Sequence, residues 1–383
     1  MKITGIICEY NPFHSGHAKQ IHTIRTKNSE SGIVCLMSGN FVQRGTPAVT
    51  DKRYRAESAV RCGADLVLEL PVTIALRSAE GFAAGGVGIL STFCSDLCFG
   101  AETADTALLM DMAKTLLSDS FSSALREYLD QGLSFPAARQ AAIEAMGIDS
   151  QILLQPNNIL AIEYCKAILC QASGMSPVPI LRQGNYHDII ADKENPSATA
   201  LRELMYHDQT WRSYMPEEAA ACFANAAIHT LEAGERAILG KLRTMTDAEY
   251  EVLPYGSEGL WRKLMHAARS KATLEEILSA TKSKRYTQTR LNRMVMCGFL
   301  GISKELLESS PPYVRVLGFN DKGREILKVA RQAGQFPNIG ETIDHPYQQL
   351  ENRCGDLYGL FAKNTPQFPG AEKAQRVFYL PQD

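Results

Sequence analysis

Two histidines stand close together near the N-terminus, in the string His14-Ser15-Gly16-His17. Side chains of this type at this spacing suit an anion, provided that a helix begins among them. The first free N–H groups of a helix and its dipole both favour negative charge. The preceding residues support that arrangement. Lys2 to Cys8 is an apolar run rich in branched residues, which reads as a buried strand. Asn11-Pro12 breaks it, because the residue before proline is pushed out of the helical region. Ala18 to Thr26 then reads as a helix. Gly16 allows a ligand to approach the backbone. Gln20 lies three positions past His17 and shares its face. Lys19 lies two past it, roughly 200° round the helix, and is expected to point away as a solvated lysine.

A second cluster comes much later, at Ser197-Ala198-Thr199-Ala200-Leu201-Arg202, where a helix starts after Asn195-Pro196. Hydroxyls and N–H groups there can hold phosphate oxygens, and an arginine one turn on can clamp them. Ser197 is equally well suited to capping the helix with no ligand at all. Other positions also allow two readings. Gly100 marks a turn or a close approach to a nucleotide. Asn157 and Asn158 open a helix or bind a base or ribose. Arg182 and Gln183 are a solvated pair or ligand contacts. Gln43-Arg44-Gly45 is a turn or a binder of carboxylate or nucleotide. His187-Asp188 carries little weight as an acid–base pair, since neighbours on a strand diverge.

The elements that must position these groups alternate. Strands are expected at Gly32 to Ser38, Asp65 to Leu70, Asp96 to Phe99 and Pro177 to Leu181. Helices are expected at Asp51 to Cys62, Ser78 to Leu90, through Thr103 to Met146, and in a segment that Gln155 to Leu160 opens and that runs to about Cys170. Alternation of this kind indicates a parallel sheet with right-handed crossovers, and ligands bind beyond the carboxyl ends of its strands. Past about Pro216 helices dominate, with a short strand-like element near Val314 to Phe319, so a domain boundary is expected near 210–216. The chain has 383 residues, 45% hydrophobic and 21% charged, enough for a sizeable core. Its net charge of -2 gives no global attraction to nucleic acid, so any RNA contact must be local. The segment Lys282 to Arg293 supplies a local patch: Lys282, Lys284, Arg285, Arg290 and Arg293 occur with no acid among them. Tyr286 and polar residues interleave, which suits an RNA backbone as well as a solvated helix face. The ten cysteines are scattered and form no C-x-x-C pair, as expected of free thiols in a reducing cytoplasm. Neither a signal peptide nor a membrane-length apolar run is visible.

The H-x-G-H string, between strand and helix, resembles the HIGH-type nucleotidylyltransferase superfamily, and Ser197 to Arg202 resembles its later S-x-T-x-x-R element. The complete set resembles the bacterial tRNA(Met) cytidine acetate ligase family. The residues that carry this are Gly5 to His17, Met37 to Gly45, Phe99-Gly100-Ala101-Glu102, Pro156 to Leu160, Ser197 to Arg202 and Lys284 to Leu291. The resemblance implies an α/β fold: a Rossmann-like parallel-sheet nucleotidylyltransferase domain over residues 1–214, then a mainly α-helical, tRNA-binding domain over 215–383. It implies activation of acetate by ATP as acetyl-adenylate. The acetyl group would then pass to N4 of the wobble cytidine in the anticodon region of elongator tRNA(Met).

Carried over residue by residue, the resemblance makes His14, His17 and Arg202 catalytic. It implies ATP contacts from Ile7, Cys8, Glu9, Tyr10, Asn11, Pro12 and Phe13, and from Ser15, Gly16, Ala18 and Gln20 beside the histidines. Further contacts are implied from Gly100, Asn157, Arg182, Gln183, Ser197 and Thr199. No carboxylate cluster fixes a metal, so Mg²⁺ is expected to travel with ATP. No membrane or protein partner is implied. Two other readings are a nucleotidylyltransferase acting on a small phosphorylated metabolite and a non-enzymatic RNA-binding protein. The long helical second half speaks against the first, and intact His14, His17 and Arg202 against the second.

Overall fold

The computed structural model describes residues 1–182, 197–333, 345–364, 367–374 and 376–381. Gln183, His187 and Asp188 therefore lie outside the described residues. Seven strands make the main sheet: β1 (Ile3–Cys8), β2 (Gly32–Ser38), β5 (Leu66–Leu70), β6 (Asp96–Ala101), β7 (Ser176–Leu181), β8 (Val316–Asn320) and β9 (Phe378–Leu380). A two-stranded ribbon, β3 (Phe41–Val42) with β4 (Thr46–Pro47), stands apart within the expected Gly39–Pro47 loop. The sheet order is β7-β6-β1-β2-β5-β8-β9, parallel except where β8 meets β5.

Burial on both faces explains the near-continuous apolar strands. Along β2 the side chains alternate. Ile33, Cys35 and Met37 pack with Ile21 and Ile24 of α1 (Ser15–Lys27), with Ala56, Ala59 and Val60 of α2 (Lys52–Arg61), and with Leu201. Val34 and Leu36 pack on the other face with Phe82, Val87, Leu90, Ala161 and Ile168. From β1 the chain moves outward through β2 to β5, then returns to place β6 on the other side of β1. That reversal opens a crevice at the carboxyl ends of β1 and β6, where a ligand can sit between diverging connections.

The region expected to be helical from 103 to 146 is three helices, Thr106–Leu116, Asp119–Asp130 and Phe135–Ala145. The strand-like element near Val314 is β8, and it does not stand alone. Together with β9 it completes the sheet whose other strands all precede residue 215. A second core of helices, including Glu235–Thr244, Leu260–Ser270, Gln288–Leu300 and Pro346–Tyr358, takes in Phe41 and Leu76 of the first lobe, the part of the chain before residue 215; the part after it is the second lobe. Among the described residues no helix is long and apolar enough to cross a membrane.

Candidate active site

β1 delivers its chain into a loop that ends on His14, the N-cap of α1. The two histidines cap this helix. His14 Nδ1 accepts from Gly16 N at 3.1 Å, and His17 Nδ1 accepts from His14 N at 3.3 Å. Two imidazoles thus form the reciprocal capping box usually made by a hydroxyl and a carboxylate. Their rings stack with centroids 3.7 Å apart. Because each Nδ1 accepts, the hydrogen-bond network assigns the proton of each neutral ring to Nε2. His14 is 2% exposed, and its Nε2 has no partner. Burial, reinforced by Arg182 and Arg202, pushes the His14 pKa down to about 3. Burial, then His14 and Arg182, pushes that of His17 well below its usual value. Both rings are therefore uncharged N–H donors at neutral pH.

The later motif meets this loop. Ser197 caps the Ala198–His207 helix by accepting from Ala200 N at 3.0 Å. One turn in, Arg202 donates through Nη1 to Asn11 O at 2.8 Å and through Nη2 to Thr199 Oγ1 at 3.0 Å. Residues nearly two hundred positions apart are joined directly. Behind them lies Arg55, fully buried, which donates to the carbonyls of Thr50, Glu9, Ser38 and Gly39 and so ties together the chain leaving β1 and β2.

These groups open on a cavity of about 860 Å³, a volume that suits a nucleotide. Ile7 to Asn11, His14, Gly16, His17, Gln20, Gly100, Asn157, Arg182, Thr199 and Arg202 all line it. A Cβ built on Gly100 would meet nothing within 4 Å, so the strand edge there faces open space. Glu102 accepts from Asn157 N, Asn157 Nδ2 and Asn158 N at 3.2, 2.6 and 2.7 Å, capping the Pro156–Cys170 helix. Pro12, Phe13, Ser15, Ala18 and Ser197 support the loop without lining the cavity; the Ser15 hydroxyl donates to Tyr214 O at 2.8 Å. Lys19 is exposed, as expected of a solvated lysine, and also stands among the residues that line the cavity.

The HIGH Nucleotidyl Transferase family profile matches residues 1–373. Among curated relatives, the tRNA(Met) cytidine acetate ligase of Clostridium perfringens is 39% identical, over 88% of this chain and 89% of its own. That of Clostridium novyi is 38% identical, over 95% and 94%. This chain belongs to the tRNA(Met) cytidine acetate ligase family of HIGH nucleotidyl transferases. The crystal structure of Thermotoga maritima TmcAL, in its apo form, superposes with a TM-score of 0.90 at 30% identity over the whole of both chains. The form bound with alpha-thio ATP superposes with a TM-score of 0.88.

In this member of the ligase family the basic segment does not form one uniform surface. Lys282 and Lys284 are exposed, and Arg285 pairs with Glu258 at 3.0 Å. Arg290 is turned inward, donating to Tyr255 O at 3.2 and 3.0 Å and lying 4.7 Å over the Tyr286 ring. Arg293 is buried, donates to Gln43 O at 3.3 Å and lines the cavity together with Thr287 and Thr289. The expected five-cation RNA face is thus corrected to three outward cations. Arg290 is held within its own helical region by Tyr255 and Ser257, and Arg293 alone reaches across to Gln43.

The histidine environment has a consequence for stability. An unfolded histidine takes up its proton near 6.5, whereas folded His14 does so only at about 3. The unfolded state binds more protons in that window, so His14 should lower stability progressively as the pH falls from about 7 to 5. Melting temperatures of the wild type and a His14→Gln variant isolate the effect. The wild type should lose ground relative to the variant on acidification; a constant difference, or one of opposite sign, would count against the neutral-imidazole assignment.

Proposed function

We propose that this chain is an ATP-dependent ligase that activates acetate as acetyl-adenylate and transfers the acetyl group to N4 of the wobble cytidine of elongator tRNA(Met). AMP and pyrophosphate are the other products. The observation that carries this reading is the convergence of the His14, His17 and Arg202 donors on one cavity of nucleotide size. The names of the curated relatives support the same substrate class.

Carboxylate attack on the α-phosphorus brings two anions together, so positioned donors matter more than a strong base. The neutral Nε2–H groups and the Arg202 guanidinium receive the charge that develops as pyrophosphate leaves. The β6 and β7 ends, with Gly100, Asn157 and Arg182, take the nucleoside. The N4 amine of cytidine then attacks the acyl carbon, AMP departs, and the amine loses a proton. Mg²⁺ arrives with the nucleotide. Among the described residues no group of three His, Cys, Asp or Glu is arranged to hold a metal, and Arg182 and Arg202 add positive charge at the cavity. Residues 1–214 carry most of the cavity, to which Thr287, Thr289 and Arg293 are added from the later part of the chain; residues 215–383 also present the anticodon region, with Lys282, Lys284 and Arg285 as outward phosphate contacts. The enzyme works in the cytoplasm, where its ten cysteines remain thiols.

Oxygen balance tests the mechanism. With ¹⁸O-acetate, ATP and tRNA(Met), and no acetyl-CoA, AMP should carry one label, because the carboxylate oxygen bonded to phosphorus stays there when the acyl group leaves. Unlabelled AMP alongside efficient acetylation would rule out the adenylate. Activity with acetyl-CoA and none with acetate and ATP would rule out the donor.

A further inference from the structure

Arg293 is a buried charge without a counter-charge. It is 7% exposed, and its Nε has no hydrogen-bond partner. Nη1 donates to Gln43 O, and the guanidinium lies 5.0 Å over the Tyr255 ring. Among the described residues no carboxylate pairs with it. A guanidinium stays protonated in proteins, and an uncompensated buried charge is costly. Arg55, also buried, is better served, since it donates to four carbonyls; Arg139 shares an unpartnered Nε but feels the Glu163 carboxylate.

Its position is also unusual. Arg293 comes from the second lobe but lines the cavity of the first, beside Val42, Thr287 and Thr289. Thr287 caps the Gln288–Leu300 helix, so the start of that helix faces the same space. Gly45 is pressed against this helix; a Cβ there would come within 2.4 Å of Arg293 N, and its φ of +77° also favours glycine. Gln43 donates its N–H to Glu9 Oε1 at 2.8 Å, which ties Arg293 through Gln43 to the end of β1.

We infer that Arg293 binds the carboxylate of acetate and holds it for attack on the α-phosphorus of ATP. The inference rests on the ligase reading given above. A guanidinium matches a carboxylate through parallel donors, and Val42 supplies apolar surface for the methyl group. A buried guanidinium admits a two-carbon acid more readily than the backbone of a folded RNA. In the step itself, one acetate oxygen bonds to the α-phosphorus and the bond from that phosphorus to the bridging oxygen of pyrophosphate breaks. The electron pair leaves with pyrophosphate, and no proton or oxidant is needed. Nucleophile and leaving group are thereby served by separate cations: Arg293 for one, Arg202 with the two imidazoles for the other.

Acetate-dependent ATP–pyrophosphate exchange, measured without tRNA, tests the assignment. Arg293→Gln should raise the KM for acetate about 10- to 100-fold, the loss of one charge-assisted hydrogen bond, and leave the KM for ATP unchanged. Arg293→Lys keeps a charge and should recover part of the loss. An unchanged acetate KM in either folded variant overturns the inference, as does an equal rise for acetate and ATP. A rise confined to the KM for tRNA in the full reaction reassigns Arg293 to RNA. Loss of the wild-type melting temperature in both variants makes its role structural and overturns the inference too. Absence of exchange in the wild type would sink the ligase reading, and this inference with it. Exchange in the wild type with unaltered acetate KM in the variants sinks only the inference.

Discussion

Replacing His17 by alanine should slow acetate-dependent release of pyrophosphate by roughly 10²–10³-fold, the usual cost of losing one preorganised donor to developing charge. The ring is well placed for that role. Its Nδ1 is engaged by His14 N, and its faces meet His14 at 3.7 Å and Tyr10 at 4.8 Å between centroids. Fixed in this way, Nε2–H reorganises little as the reaction proceeds. The variant also loses half of a capping box, which costs about 1 kcal/mol of helix stability and should not unfold the chain. His17→Asn restores an N–H donor of shorter reach and should recover part of the rate. Quench-flow measurement of pyrophosphate, with the melting temperature as a control, separates chemistry from folding. A folded His17→Ala protein that releases pyrophosphate at the wild-type rate would refute the assignment.

Much of this site was legible because its determinants are local. The His14-to-His17 string, the proline break and the apolar run before it dictate strand, loop and helix within a few turns of chain. The Ser197-to-Arg202 motif is equally compact. Less legible were contacts made across the whole chain. β9 has three residues and no pattern of its own, and its place beside β8 follows from tertiary pairing. Arg55 did leave a signal. Lys52, Arg55, Ala56, Ala59 and Val60 form one buried stripe of α2 at helical spacing, so two cations sit where apolar side chains belong. A cation in such a stripe implies partners arriving from elsewhere. Arg293 was read as part of a surface run because the five cations are close in sequence. On a helix it lies three residues from Arg290 and shares a face with it, and that face is covered by Tyr255, with Gln43 adding to the cover at Arg293.

Lys52 is the other cation in the α2 stripe, and replacing it by methionine should cost about 3–5 kcal/mol of stability, the range found when one partner of a buried ion pair is removed. Lys52 Nζ donates to both Glu69 oxygens at 2.7 Å and also contacts Glu372. Arg315 pairs with Glu351 at 2.8 Å and with Glu372, and Tyr313 donates to Glu351 at 2.7 Å. Three carboxylates thus share two cations beneath Gly39, where a Cβ would come within 2.3 Å of Glu69 Oε1. The imbalance is visible at Glu351. Burial and the Glu69 charge outweigh Arg315 and push its pKa up to about 7. Without Lys52 the remaining carboxylates would be held above their usual range in the folded state only. The folded variant would then bind more protons than its unfolded chain, so its stability should fall further behind the wild type as pH rises from about 5 to 8. Urea unfolding at both ends of that window reads the sign directly. The network joins β5 and α2 to the Pro346–Tyr358 helix and to Glu372, so its loss should loosen the C-terminal segment against the sheet that carries the histidine loop. A Lys52→Met chain that unfolds with the wild-type midpoint, or whose deficit shrinks as pH rises, would show that the cluster does not depend on its lysine.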